Sequence, residues 1–177
     1  MATVSRRELR EAVFVLLFES DFHRDEQPAD ILALAREERD VWENPYIEKT
    51  YFGIMEKAAA LDIMIGRYTK DWKVSRLSHV SRAVLRLGTY ELLYSDLAAE
   101  IALNEAIVID KKFDDPKARK FINGVLNAIK NEIEEKGKED CVARYEAEAA
   151  TVEQPENVAD VNVVANEEQA DEASAQA

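Results

Sequence analysis

Cysteine and histidine are nearly missing from this chain: Cys141 is the single thiol, and His23 and His79 are the only imidazoles. One thiol cannot close an internal disulfide, and these three residues offer no zinc-site spacing, so metal and thiol chemistry are not expected. No cofactor is expected either. Five glycines and four prolines in 177 residues leave few loop-forming residues, and no stretch alternates apolar with polar in the manner of a strand. No uninterrupted apolar run is long enough to cross a bilayer, and charged residues rather than an apolar signal region follow Met1. A cytosolic location is the expectation.

What is present reads as helix. Apolar residues make up 47% of the chain, enough for one helix-rich domain with a real core. Ser5 to Glu8, "SRRE", is a capping box that opens a helix to about Phe22, and Pro28 starts a second to about residue 39. Asn44-Pro45 opens a long helical pattern to about Tyr68. Ser78 caps another to about Ser95, a further one spans roughly 99 to 113, and Asp115-Pro116 opens the last, to about Lys136. The predicted fold is an all-α bundle of six or seven helices over residues 1–136.

The net charge of −13 is unevenly placed. From Gly137 onward two basic residues face eleven acidic ones, so residues 137–177 carry −9 and residues 1–136 only −4. The acidic segment is rich in Ala, Glu and Asn, has no aromatic after Tyr145, and is predicted to be a disordered tail. The near-neutral body leaves nucleic acid open as a partner.

Three stretches carry candidate chemistry. In "ARKFINGVLNAI" the Asn123-Gly124 pair resembles a hairpin turn, yet Ala118, Ile122, Val125, Leu126, Ile129 and Ile133 form one helical stripe with Gly124 outside it. The pair is therefore helical, and Gly124 marks either a neighbouring helix or a ligand approaching beside Lys117 and Lys120. In the first helix Leu9, Ala12, Val13 and Leu16 make a core stripe, while Arg7, Arg10, Phe14 and Phe18 line a second face with Phe22 slightly further round. That face is either a second buried side or a partner surface. Arg6, Arg7 and Arg10 at a helix start oppose the macrodipole, which favours an anionic partner there over three solvated side chains. The third stretch, "SRAVLRLGTYELLYS", is apolar almost all round and forms the central helix. Glu91 falls inside its apolar face and requires a basic or amide partner; without a second carboxylate or histidine at helical spacing it is structural rather than catalytic.

The motifs "SRRELREAVFVLLFE", "WKVSRLSHVSRAVLRLGTYELLY", "IALNEAIVIDKKF" and "RKFINGVLNAI", in this order and spacing, resemble those of the NusB family of bacterial transcription antitermination factors. The resemblance covers roughly residues 4 to 134, the acidic tail lying outside it. It implies two packed three-helix bundles with an additional helix and no catalysis. It also implies binding to the boxA element of nascent ribosomal RNA and a heterodimer with NusE, a small-subunit ribosomal protein, acting together on elongating RNA polymerase. By resemblance the RNA role falls to Arg6, Arg7 and Arg10, with Lys117, Lys120 and Phe121 as a second edge. The NusE-facing surface falls to Phe18, Phe22 and the region of Ser81. The chain departs from the family pattern at Ser81, where an acidic residue is usual, at Glu8 and Leu9, which interrupt the basic run, and at Asp110, where a small apolar residue is usual. A NusB-like domain also fronts some ribosomal RNA cytosine methyltransferases, but this sequence has no room for their catalytic domain. A helical protein-binding module with idle arginines is the alternative.

Overall fold

The computed structural model describes residues 4–39, 41–70 and 72–152. The helices are α1 (Arg6–Ser20), α2 (Pro28–Arg39), α3 (Pro45–Glu56), α4 (Ala58–Tyr68), α5 (His79–Tyr94), α6 (Ala99–Phe113), α7 (Pro116–Lys136) and α8 (Lys138–Val152), with one 3-10 turn at Val74–Arg76. The all-α expectation holds, and the starts lie where the caps put them. Ser5 and Glu8 form the reciprocal box at α1, Asn44 caps α3 before Pro45, Ser78 caps α5, and Asp115 caps α7 before Pro116.

Helix α1 packs on α2 and α3, while α5, α6 and α7 pack on one another; α5 also lies against α1 and α4 and joins the two groups. As its all-round apolar pattern requires, α5 is central, with Ala83, Val84, Leu85, Leu87, Leu92 and Leu93 all buried. Its Gly88 permits the close crossing with α7: a Cβ there would stand 3.1 Å from both Leu126 methyl carbons.

Two differences from the sequence reading have physical causes. The pattern from 44 to 68 is two helices, because Lys57 (φ −96°, ψ 8°) leaves the helix between α3 and α4 while the apolar spacing runs on unbroken. The second lies in the acidic segment. Residues 138–152 are helix α8, packed on α4, α7 and α5, with Cys141, Tyr145 and Ala149 buried. These residues recur every fourth position and make a narrow stripe of mostly small side chains, a signal that charge and composition concealed. The part of the predicted tail from residue 153 on lies outside the described residues.

α8 is fastened through Glu132 of α7, a buried carboxylate. Its Oε2 accepts from Tyr68 Oη (2.6 Å) and Tyr145 Oη (2.8 Å), and its Oε1 from Lys136 Nζ (2.9 Å) and Arg144 Nη1 (3.3 Å). Burial alone would push this acid up, but the hydrogen bonds from Tyr68, Lys136 and Tyr145 outweigh it and bring the group down to about 2. Arg67 of α4 with Glu148, and Lys57 at the α3–α4 break with Glu146, add ion pairs to α8 at the rim.

Candidate nucleic-acid interface

The predicted second face of α1 separates into buried, half-buried and exposed members. Phe14 is core, at 2% exposure; Phe18 is half-buried against the core; Phe22, at 58%, stands in solvent. The rings form a series, Phe113 to Phe14 (4.7 Å between centroids), Phe14 to Phe18 (6.4 Å) and Phe18 to Phe22 (5.1 Å), ending on His79 of α5 at 4.3 Å from Phe22. His79 itself sits in a charged cluster: Asp21 accepts from Arg82 Nε (2.8 Å), lies 3.2 Å from His79 Nδ1, and is within 3.5 Å of Arg86.

The three arginines likewise divide. Arg10 is buried, its Nε donating to Glu91 Oε1 at 2.8 Å and its Nη1 lying 3.7 Å from Glu105. Glu91 thus has the basic partner its position demanded, together with Tyr46 Oη at 2.9 Å. This corrects the assignment of Arg10 to a phosphate-binding set. The charge is neutralised inside the fold, and withdrawing it would leave a buried carboxylate unpaired. Arg7 is exposed yet oriented: its Nε and Nη2 donate to the two oxygens of Glu105 on α6 at 3.1 and 2.8 Å, a bidentate fork that leaves its remaining donors to solvent. The Arg7 fork holds Glu105 below the usual carboxylate range. Arg6 is exposed and lies over the Tyr46 ring, 5.0 Å from its centroid.

α6 joins these arginines to the second predicted edge. It runs beside α1, meeting it at Arg7–Glu105, at the Lys112–Glu11 ion pair (2.6 Å) and at Phe113–Phe14, and then turns through Asp114 and Asp115 into α7. Lys117 and Lys120 in the first turns of α7 are exposed, and Phe121 is half-buried against the core. Asn123-Gly124 is helical, and Gly124 faces open space, with nothing within 4 Å of a Cβ built there. Of the two readings of that glycine, the neighbouring helix is excluded.

Ser81 does not present a side chain to solvent. It is 6% exposed, and its hydroxyl donates to Asp114 Oδ2 at 2.9 Å. Sequence reasoning missed Asp114, which lies 33 positions from Ser81 and comes to it only because α6 ends against the start of α5. It also missed Arg119. Asp110, noted in the sequence as a departure, is wholly buried, and neither of its oxygens has a hydrogen-bond partner; Arg119 Nε lies 3.9 Å away. Burial, reinforced by the neighbouring Asp114, pushes the Asp110 carboxyl up.

Among the described residues no group of three His, Cys, Asp or Glu side chains could hold a metal ion, and no helix is long and apolar enough to cross a membrane. A family model described as the NusB family matches residues 7–131. The transcription antitermination protein NusB of Bacillus velezensis is 42% identical over 134 residues, 74% of this chain and 99% of the relative. That of Bacillus subtilis is 38% identical over 133 residues, again 99% of its length. Among solved structures, Thermotoga maritima NusB superposes with a TM-score of 0.67 at 38% identity, over 74% of this chain and 94% of the other. A structure of antitermination factors NusB and NusE in complex with double-stranded RNA gives 0.63 at 29%, over 71% and 96%. Helix α8 lies wholly beyond the residues that the family model matches.

Proposed function

The chain belongs to the NusB family, whose members are antitermination factors and not enzymes, and from that premise we propose how it works. It binds a boxA-type segment of nascent ribosomal RNA together with NusE, and the complex acts in the cytoplasm on elongating RNA polymerase to carry it through terminators. The RNA-facing residues are Arg6 and Arg7 at the start of α1 and Lys117, Lys120 and Phe121 at the start of α7. The single observation that carries the assignment is the exposure of all four cations at the starts of α1 and α7, with α6 fixing Arg7 through Glu105 and leading directly into α7. Phosphate contacts from such an edge supply affinity and register, while Phe121 and the open strip at Gly124 leave room for a base or backbone to approach.

NusE docks at the other end of α1, on Phe22 and the outer part of Phe18, with Asp114 supplying beside Ser81 the carboxylate that position 81 lacks. RNA binding is carried by the body from α1 to α7, and α8 extends that folded unit. The test is a template carrying boxA ahead of a terminator, transcribed by bacterial RNA polymerase with NusE. Read-through that rises on adding this protein, and rises much less with the Arg6, Arg7, Lys117 and Lys120 alanine variant, supports the proposal. Equal read-through with the variant would reject the site.

A further inference from the structure

Asp110 and Arg119 are two halves of an ion pair that has not closed. Asp110 projects from the last turn of α6 into a place with no solvent, and an ionised carboxylate without a hydrogen bond is strongly disfavoured there. Arg119 Nε, 3.9 Å away, is buried and also without a partner, while the side chain as a whole is about one third exposed, so the guanidinium spans from the Asp110 pocket to the surface. Around α7, Arg119 lies 100° from Lys120, on the flank between the buried stripe and the exposed lysine.

The charged groups named above on α1, α5 and the end of α6 are already engaged. From α6 itself, the Asp114 carboxylate accepts from Ser81 Oγ on α5 and from the Asp115 backbone N–H at 2.8 Å. On α5, His79 and Arg82 are held by Asp21. On α1, Arg7 is taken by Glu105, Arg10 by Glu91, and Glu11 by Lys112. Among the described residues the cation paired with Asp110 is Arg119, and their 3.9 Å separation is about 1 Å longer than a charge-assisted hydrogen bond.

We infer that Asp110 governs a further cation of the RNA edge. With its carboxyl neutral, Arg119 is free to extend outward to a phosphate; with the carboxyl ionised, Arg119 is drawn inward and that cation is withdrawn. The inference rests on the RNA reading of the α7 edge and adds Arg119 to it as a binding residue and Asp110 as its positioning residue. Desolvation, reinforced by Asp114, pushes the Asp110 carboxyl up, so neutrality extends to higher pH than for an exposed acid. The sign follows: RNA binding strengthens as pH falls through the Asp110 transition and weakens as it rises.

The experiment is fluorescence anisotropy of a labelled single-stranded boxA-type RNA with the full chain and NusE, from about pH 4 to pH 8, for wild type, Asp110→Asn, Asp110→Ala and Arg119→Gln. Both Asp110 variants should bind at every pH as tightly as wild type does at its acidic limit, losing the component of the pH profile that wild type shows. Arg119→Gln should lose the same component and make the dependence of log affinity on log salt shallower by about 0.7, one phosphate's worth on a single strand. The nitrogen-15 shift of Arg119 Nε, read without RNA, should titrate in wild type and not in Asp110→Asn. A wild-type pH profile retained by both Asp110 variants, or an Arg119 signal that does not titrate, would overturn the switch alone. Wild type that fails to bind RNA at any pH would overturn the RNA reading and the switch with it.

Discussion

Replacing Glu132 by Gln isolates the charge that fastens α8 to the rest of the molecule. The folded carboxylate, at about 2 against 4.5 for the free side chain, is depressed against its burial by the hydrogen bonds from Tyr68, Lys136 and Tyr145. A depressed carboxylate contributes stability that is fully present above the unfolded value of 4.5 and lost as pH falls toward 2. At about 1.4 kcal/mol per unit, the ionised form is favoured by roughly 3 kcal/mol at neutral pH, since the side chain is almost completely buried and little screened. By pH 3 the same linkage leaves about 1 to 1.5 kcal/mol. Urea denaturation of wild type and Glu132→Gln at pH 7, 5 and 3 reads this directly. The expected gap is about 2 to 3 kcal/mol at pH 7, closing by at least half at pH 3. A variant as stable as wild type at pH 7, or a gap independent of pH, would refute the argument that these donors act on a charge.

Ending the chain at Gly137 should lower the melting temperature, because Tyr145 and Cys141 leave the core and Tyr68 loses its neighbour. The loss is about 3 kcal/mol or more. Arg10→Ala leaves Glu91 buried with only Tyr46 and should cost about 3 to 5 kcal/mol in denaturant, while Arg6→Ala and Arg7→Ala should each stay within about 1 kcal/mol of wild type. Phe22→Ala should weaken NusE binding measured by calorimetry with stability changed by no more than about 0.5 kcal/mol, and Phe14→Ala should cost about 3 to 5 kcal/mol.

The elements most legible in the sequence are those with two agreeing local signals. The α1 start was readable because Ser5 and Glu8 form a cap ahead of an apolar stripe, and α7 because Asp115-Pro116 precedes one; Asn123-Gly124 yielded to the stripe because six apolar residues outvote one dipeptide. The charge on Glu91 announced a basic partner but not which one. Arg10 lies 81 positions away on another helix, and three arginines at a helix start look alike until the fold buries one of them. The break at Lys57 has no glycine or proline to mark it, and α8 reads as low complexity because its buried face is only Cys141, Tyr145 and Ala149 wide. Asp114 beside Ser81 and Arg119 beside Asp110 are products of helix packing, and no spacing along the chain encodes them.

The central claim is that the starts of α1 and α7 form one phosphate-binding edge. Measuring the affinity of a boxA-type RNA, with NusE present, across a series of salt concentrations for wild type and for the Arg6, Arg7, Lys117 and Lys120 alanine variant tests it most directly. The account predicts weaker binding and a plot of log affinity against log salt shallower by roughly 2 to 3 units, with helicity and melting temperature retained. An unchanged affinity and slope in the folded variant would contradict it.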